Sequence, residues 1–234
     1  MKRYWILALC VLLLFPAAVS GCASGSTTSG QRQMEGLMIL VDAGHGDSDV
    51  GTIGPVSGVY EKDINLAISL KLQAALEEKG VNVVMTRISD APLGTPEEED
   101  VAVRKENDMQ KREELIDGAN ANLLISIHQN QFDDPAAKGP QVFYLKYDDA
   151  SYGVDFSKAI QNAVNRELRI ENPRDVNFGN WRLLKKGNQP GCIVECGFLS
   201  NPEEELLLQD NDYQDQLVKA IVMGVEEYVK KYGA

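Results

Sequence analysis

Two histidines and one glutamate occupy positions in the chain where side chains of these types can do chemistry. His45 and His128 are the only histidines among the 234 residues. His45 follows the apolar run MILVDA, His128 ends the run NLLISIH, and Glu195 ends a third run, GCIVE. Open α/β sheets bind their ligands at the carboxyl ends of the strands. If the three runs are strands of one sheet, these metal-binding or acid–base side chains meet at one of its edges.

Two imidazoles bind zinc well, and a carboxylate commonly completes the protein ligands while a fourth position stays open for water. Glu61 suits the third position, because the glycine-rich loop 44–58 can bring the start of the following helix back over the strand end. No local metal-binding motif links these residues, so the fold must assemble the site. On spacing alone, Asp47, Asp49 and Asp63 remain alternatives to Glu61.

Each candidate also has a structural interpretation. A histidine that follows a strand is usually an ordinary loop residue, and Glu61 could simply complement a helix dipole. Glu195 could be a buried acid that forms an ion pair with Arg87 or Arg112. Residue types and spacing therefore predict a candidate zinc site and leave these alternatives open.

The elements that must position these residues alternate along the chain. Apolar runs predict strands at 37–42, 81–86, 122–127, 141–145 and 191–195. Helical periodicity predicts helices at 61–79, 103–118, 152–168 and about 213–232. Asn201 and Pro202 have the features of a helix N-terminus, with acidic residues in the first turn. Strands and helices that alternate in this way predict a single α/β domain whose sheet is covered on both faces.

The first 21 residues have the features of a secretion signal, with a basic start and an apolar run that is too short for a membrane span. The sequence VSGC at 19–22 resembles a bacterial lipobox, which implies cleavage before Cys22 and lipid on its sulfur; ordinary cleavage after residue 20 is the alternative. Segment 22–35 is predicted to be a flexible linker and 36–234 the folded domain. We therefore expect an extracytoplasmic protein that is lipid-anchored to the bacterial membrane.

Charge and cysteine content argue against a nucleic-acid partner, a disulfide and a structural zinc site. A formal net charge of −12 argues against nucleic acid as a partner. Cys192 and Cys196 are four residues apart on one predicted strand, about 13 Å at ~3.3 Å per residue, which is too far for a disulfide. We expect buried thiols there, and the chain has no CxxC pair that would indicate a structural zinc.

Four motifs carry a resemblance to a known family. VDAGHG, the glutamate of YEKD at 60–63, SIHQN and VECGFLSNPEEE resemble the zinc-dependent N-acetylmuramoyl-L-alanine amidases, which share one catalytic domain across cell-division and sporulation enzymes. The resemblance covers about 37–232. It implies a twisted, mainly parallel sheet between helices, with His45, Glu61 and His128 as zinc ligands and Glu195 as the catalytic glutamate.

The resemblance also implies peptidoglycan as the substrate, with cleavage between the lactyl group of N-acetylmuramic acid and L-alanine of the stem peptide. Gln129 and Cys196 depart from the family's usual residues, and the segment 147–181 is too short for the self-blocking insert of some members. Short members of this kind resemble the sporulation branch, and an activating protein partner is left open. A wall-binding lipoprotein without activity and a zinc peptidase that acts on the stem peptide are the alternatives.

Overall fold

A computed structural model describes residues 34–94, 98–147 and 150–233, without the side chains of 147 and 150–152. Seven strands of the described residues form one sheet in the order β2-β1-β3-β7-β4-β5, and β6 pairs with β4. The strands are β1 (Met38–Ala43), β2 (Asn82–Met85), β3 (Leu123–Asn130), β4 (Gln141–Tyr147), β5 (Ala150–Tyr152), β6 (Asn177–Gly179) and β7 (Gly191–Phe198). β1, β2, β3 and β7 run parallel, and β4 is antiparallel to β7, so the predicted mainly parallel sheet is confirmed.

Five α-helices and one 3-10 turn accompany the sheet in the described part of the chain. They are α1 (Glu61–Glu77), α2 (Val101–Gly118), α3 (Val154–Glu167), α4 (Pro202–Gln209) and α5 (Asn211–Tyr232), with the 3-10 turn at Leu183–Lys185. The predicted Asn201 cap is confirmed, because its side chain accepts the backbone N–H groups of Glu203 (2.9 Å) and Glu204 (3.0 Å).

Two apolar layers cover the two faces of the sheet. Alternate residues of the central strands, such as Ile125 and Val194, pack with α1, α3 and α5 in the larger cluster. The intervening residues, such as Leu124 and Ile193, pack with α2 and the 3-10 turn. The prediction of helices on both faces is therefore confirmed.

Strands β3 and β7 continue farther than the sequence predicted. We expected them to end at residues 127 and 195, but they reach Asn130 and Phe198, so His128 and Glu195 lie within strands. The reason is continued pairing: the register shifts between His128 and Asn130, and Asn130 then pairs with Phe198. His128 and Glu195 are consequently paired residues on adjacent strands.

The amino-terminal predictions fall largely outside the described residues. The predicted signal peptide at 1–21, Cys22 and the linker up to residue 33 belong there. Met34 is fully buried in the larger apolar cluster, so the packed domain includes it. No helix in the described ranges has both the length and the apolar composition needed to cross a membrane. Cys192 and Cys196 are free and buried, as predicted.

Candidate metal centre

The fold brings His45, Glu61 and His128 together. Glu61 Oε1 lies 3.2 Å from His45 Nε2 and 3.0 Å from His128 Nδ1. One nitrogen from each ring and one carboxylate oxygen lie within 4.8 Å of one another, which is close enough for one metal ion to contact all three. The sequence therefore predicted the convergence of these three residues correctly.

Glu61 reaches the strand ends because the preceding loop folds back on itself. Ile53 and Tyr60 form an antiparallel bridge, and the N–H of Glu61 donates to the carbonyl of Thr52 at 2.9 Å. Glu205, buried in α4, accepts the backbone N–H groups of Val56 (2.7 Å) and Ser57 (2.8 Å) and so holds the loop from outside. This loop structure places the first residue of α1 beside both histidines.

The Glu61 carboxylate is buried and accepts several hydrogen bonds. Oε1 accepts the N–H of Gln129 at 3.1 Å and the amide of Asn65 at 3.3 Å, and Oε2 accepts the N–H of Thr52 at 2.9 Å. Burial alone would raise the pKa of Glu61, but hydrogen bonds from His128 and His45 outweigh it and hold this pKa well below its usual range. The group is therefore an anion, as a metal ligand must be.

His45 is oriented through its second ring nitrogen. Its Nδ1 lies 2.7 Å from Asp49 Oδ2, and Lys105 of α2 donates to the other carboxylate oxygen of Asp49 at 2.8 Å. A carboxylate that accepts the Nδ1 proton leaves Nε2 free to bind a metal. Burial lowers the pKa of His45, but the hydrogen bonds to Asp49 and Glu61 outweigh it and raise this pKa to about 9 without a metal.

These contacts favour Glu61 over the alternative ligands. Asp49 contacts the side of His45 that faces away from Glu61, which is the position of a supporting residue. Asp63 is exposed on α1, and neither it nor Asp47 belongs to the group that could hold a metal among the described residues. Spacing alone could not make this distinction, and it did not identify the supporting role of Asp49.

Two buried arginines hold the backbone around His45. His45 has a φ of 61°, in the left-handed region that non-glycine residues rarely adopt. Arg112 of α2 donates to the carbonyls of Ala43 (2.8 Å) and His45, and Arg87 donates to those of Ala43 (2.9 Å) and Gly44 (3.1 Å). Arg87 also donates to the carbonyl of Lys62 at 2.7 Å and so connects this loop to the helix that carries Glu61.

Glu195 lies on β7 directly opposite His128 of β3. Its Oε2 atom is buried and has no hydrogen-bond partner within the described residues. Burial raises the pKa of Glu195 to about 7. Arg112 instead contacts Asp42 at 2.5 Å and Asp108 at 2.9 Å, and Arg87 donates to backbone carbonyls, so the ion-pair alternative for Glu195 is wrong.

The arrangement suits hydrolysis assisted by a metal. Two imidazole nitrogens and one carboxylate oxygen are the donor set of catalytic zinc sites, which keep a further position open. The carboxyl group beside them, with a pKa near neutrality, is the kind of group that exchanges protons at physiological pH.

Comparison with known proteins agrees with this chemistry. The family model Amidase_3, described as N-acetylmuramoyl-L-alanine amidase, matches residues 39–227. The germination-specific N-acetylmuramoyl-L-alanine amidase of Bacillus subtilis (strain 168) is 33% identical over 200 residues, which span 86% of this chain and 83% of that protein.

Solved structures give the same result. The CwlD amidase from Clostridioides difficile, in complex with the GerS lipoprotein, matches with a TM-score of 0.80 and 38% identity over 83% of this chain and 99% of that chain. An N-acetylmuramoyl-L-alanine amidase from Clostridium difficile 630 matches with a TM-score of 0.72 and 30% identity over 84% and 98%. The chain therefore belongs to the N-acetylmuramoyl-L-alanine amidase family, as its four sequence motifs predicted.

Proposed function

We propose that this chain is a zinc-dependent hydrolase that cleaves the amide bond between the lactyl group of N-acetylmuramic acid and L-alanine of the stem peptide. Membership of the family supports amidase activity on peptidoglycan. The observation that carries the zinc proposal is the convergence of donor atoms from His45, Glu61 and His128 within 4.8 Å, with the carboxyl group of Glu195 on the next strand.

The proposed roles follow from the environment of each group. When bound by His45, Glu61 and His128, zinc supplies a Lewis acid and lowers the pKa of water to about 7. Glu195 accepts the proton of the attacking water and delivers it to the leaving nitrogen of L-alanine. A pKa of about 7 suits both directions of this transfer, and no hydrogen bond to the described residues ties up Oε2.

Metal content tests the ligand assignment. The purified protein should hold about one zinc ion per chain, and His45→Ala, Glu61→Gln and His128→Ala should each lose most of it to a chelator, because two remaining ligands bind too weakly. Asp63→Asn is the matched control for Glu61→Gln, since it removes an exposed carboxylate from the same helical turn. Full zinc retention in both histidine variants would rule out this zinc site.

Product analysis tests the reaction. Mass spectrometry of digested peptidoglycan should find intact stem peptides that begin with L-alanine. Shortened peptides would instead identify a peptidase, and unchanged peptidoglycan would identify a binding module. The Glu195→Gln protein should release almost no stem peptide in the same assay, although it keeps its zinc.

We also propose that the protein works outside the cytoplasm and that lipid on Cys22 anchors it to the membrane. Cell-wall amidases among its relatives support extracytoplasmic action. Cys22→Ser should abolish lipidation and release the protein from the membrane fraction, while Cys10→Ser, within the predicted signal peptide, should not. A Cys22→Ser protein that stays in the membrane fraction with unchanged mobility would contradict the anchor.

A role in spore cortex maturation completes the proposal. The Bacillus subtilis relative is germination-specific, and the Clostridioides difficile relative was solved in complex with a lipoprotein, which supports a protein partner for this chain. Deletion of the gene should leave spore cortex without muramic lactam, and a catalytically inactive Glu195→Gln copy should not restore it. Normal cortex in the deletion strain would place the enzyme in vegetative wall turnover instead.

A further inference from the structure

A row of three paired residues crosses the sheet from the metal-binding residues towards the edge that carries β6. Glu195 of β7 is paired with His128 of β3 on one side and with Gln141 of β4 on the other. All three side chains lie on the α2 side of the sheet, because the residue next to each of them along its strand packs in the larger apolar cluster on the opposite side. Each residue keeps part of its surface exposed, so a substrate held at the metal centre can extend along this row.

Two aromatic side chains continue the row. Phe143 lies two residues beyond Gln141 on β4 and packs against the apolar cluster on the α2 side, so it faces the same way. Its ring makes a T-shaped contact with the ring of Trp181, with 5.7 Å between the two centroids. Gly179 of β6 lets the indole lie directly on the backbone, since a Cβ at this position would be 2.5 Å from Nε1 of Trp181. Trp181 is nevertheless 38% exposed, so a ligand can reach it.

The strand register places this aromatic pair within reach of a substrate at the metal centre. Phe143 pairs with Ile193, so it is the diagonal neighbour of Glu195, and diagonal neighbours of antiparallel strands lie about 7–8 Å apart. The contact between the two rings then places Trp181 roughly 10–15 Å from Glu195. This separation is comparable to the length of a disaccharide.

Charged side chains accompany the other side of the metal centre. Asp49 and Lys105 lie beside His45, which follows β1, and β1 and β7 flank β3 from opposite sides. On the β7 side, Arg182 follows Trp181 in the chain but is paired with two glutamates of α2. The surface at Trp181 therefore suits an uncharged part of the substrate.

We propose that Trp181, with Phe143, forms a subsite for the sugar next to the N-acetylmuramic acid whose peptide is cleaved. The inference rests on the proposed amidase function. The lactyl carboxyl group is consumed by the scissile amide, so the glycan beside that bond is uncharged. Sugar rings present C–H groups that pack on the negative face of an aromatic ring, and their oxygens accept hydrogen bonds from an indole N–H. The subsite makes the enzyme favour a glycan chain over a single muramoyl peptide.

Two substrates test the subsite by kinetics: one muramoyl peptide, and a trisaccharide in which the same muramoyl peptide carries N-acetylglucosamine on both sides. The zinc-loaded, full-length protein should have a kcat/KM about 2- to 12-fold higher for the trisaccharide, the range that an aromatic contact contributes. Trp181→Ala should abolish this preference by lowering kcat/KM for the trisaccharide, and Trp181→Phe should keep part of it. Gly179→Ala should also reduce it, because the added methyl group displaces the indole.

Phe178→Ala is the matched control. Phe178 is an exposed aromatic residue of the same sheet edge, but it pairs with Tyr144 and faces the side of the sheet opposite to Trp181. This variant should keep the full preference for the trisaccharide. Equal kcat/KM for the two substrates in the wild type, or an equal loss of preference in Phe178→Ala, would overturn the subsite.

Fluorescence measures binding at the subsite without turnover. The chain has two tryptophans, Trp5 and Trp181, so Trp5→Phe leaves Trp181 as the only one. In the full-length protein that carries Trp5→Phe and Glu195→Gln, the trisaccharide should change the tryptophan emission in a saturable way. An unchanged emission on binding, in a protein whose wild type hydrolyses the trisaccharide, would overturn the subsite and leave the amidase proposal standing. A saturable change, with no hydrolysis by the wild type, would leave the subsite standing and reject the amidase proposal.

Discussion

Replacing Glu195 with glutamine should make the metal-free protein more stable at neutral and alkaline pH. The Glu195 carboxyl group is buried and its Oε2 has no hydrogen-bond partner among the described residues; burial outweighs the attraction of His128 and His45 and raises its pKa from 4.5 to about 7. Between these two values the unfolded chain releases the proton while the folded chain keeps it. The folded wild type therefore loses stability as pH rises through this window, and glutamine, which does not ionise, avoids that loss.

The size of the effect follows from the shift. The pKa of Glu195 differs by about 2.5 units between the unfolded and the folded protein, and at 1.36 kcal/mol per pKa unit this corresponds to about 3 kcal/mol. The free energy of unfolding of Glu195→Gln, relative to the wild type, should thus rise by about 3 kcal/mol between pH 4 and pH 8. The glutamine amide can add a cost of its own, but that cost does not depend on pH, so the slope is the quantity that reports the carboxyl group.

Urea unfolding of both metal-free proteins at a series of pH values measures this slope. Glu78→Gln makes the same chemical change at an exposed position, and its free energy of unfolding should change with pH in the same way as that of the wild type. A variant that is destabilised by about 3–5 kcal/mol at pH 8 would indicate a buried cationic partner and refute the reasoning. With zinc bound, the same Glu195→Gln protein should lose turnover by about 10²–10⁴-fold, the usual contribution of general acid–base catalysis.

Three further substitutions test the supporting structure. Asp49→Asn should weaken zinc binding by about 10- to 100-fold in a chelator competition, because the Asp49 carboxylate accepts the Nδ1 proton of His45 and so orients its ring. Arg112→Met leaves Asp42 buried without its partner and should cost about 3–5 kcal/mol in urea unfolding; Arg182→Met breaks exposed ion pairs and should cost under about 1 kcal/mol. Gly44→Ala places a methyl group 2.3 Å from the His128 ring and should reduce zinc content, whereas Gly118→Ala, with open space around it, should not.

The elements that the sequence predicted best are those with a strong local signal. Apolar runs located the central strands, and the Asn201–Pro202 pair located the start of α4. β5 and β6 have three residues each and exist through their pairing with β4, which no local pattern reveals. In the structure, Asp210 separates the last two helices. It ends α4, and its side chain accepts the N–H of Tyr213 in the first turn of α5.

The site was less accessible to pattern reasoning than the strands. The two histidines were identifiable because a rare residue type follows apolar runs, and the family resemblance selected Glu61 from the nearby acids. The roles of Arg87 and Asp49 depend on where a loop carbonyl and a ring nitrogen lie in space. Those positions follow from the backbone path of the loop 44–58, and side-chain types along the chain do not specify that path.

Glu61 and Glu195 illustrate how the fold gives one residue type two opposite pKa shifts. Both carboxyl groups are buried beside His128, and burial favours the neutral form of each. Glu61 receives hydrogen bonds from two imidazoles, one side-chain amide and two backbone N–H groups, which outweigh burial and keep it ionised. Glu195 receives none at Oε2 from the described residues, so its pKa rises to about 7. Opposite shifts in neighbouring acids separate a permanent anion from a proton carrier. The number of donors around each carboxylate therefore supports Glu61 as the proposed ligand and Glu195 as the proposed base.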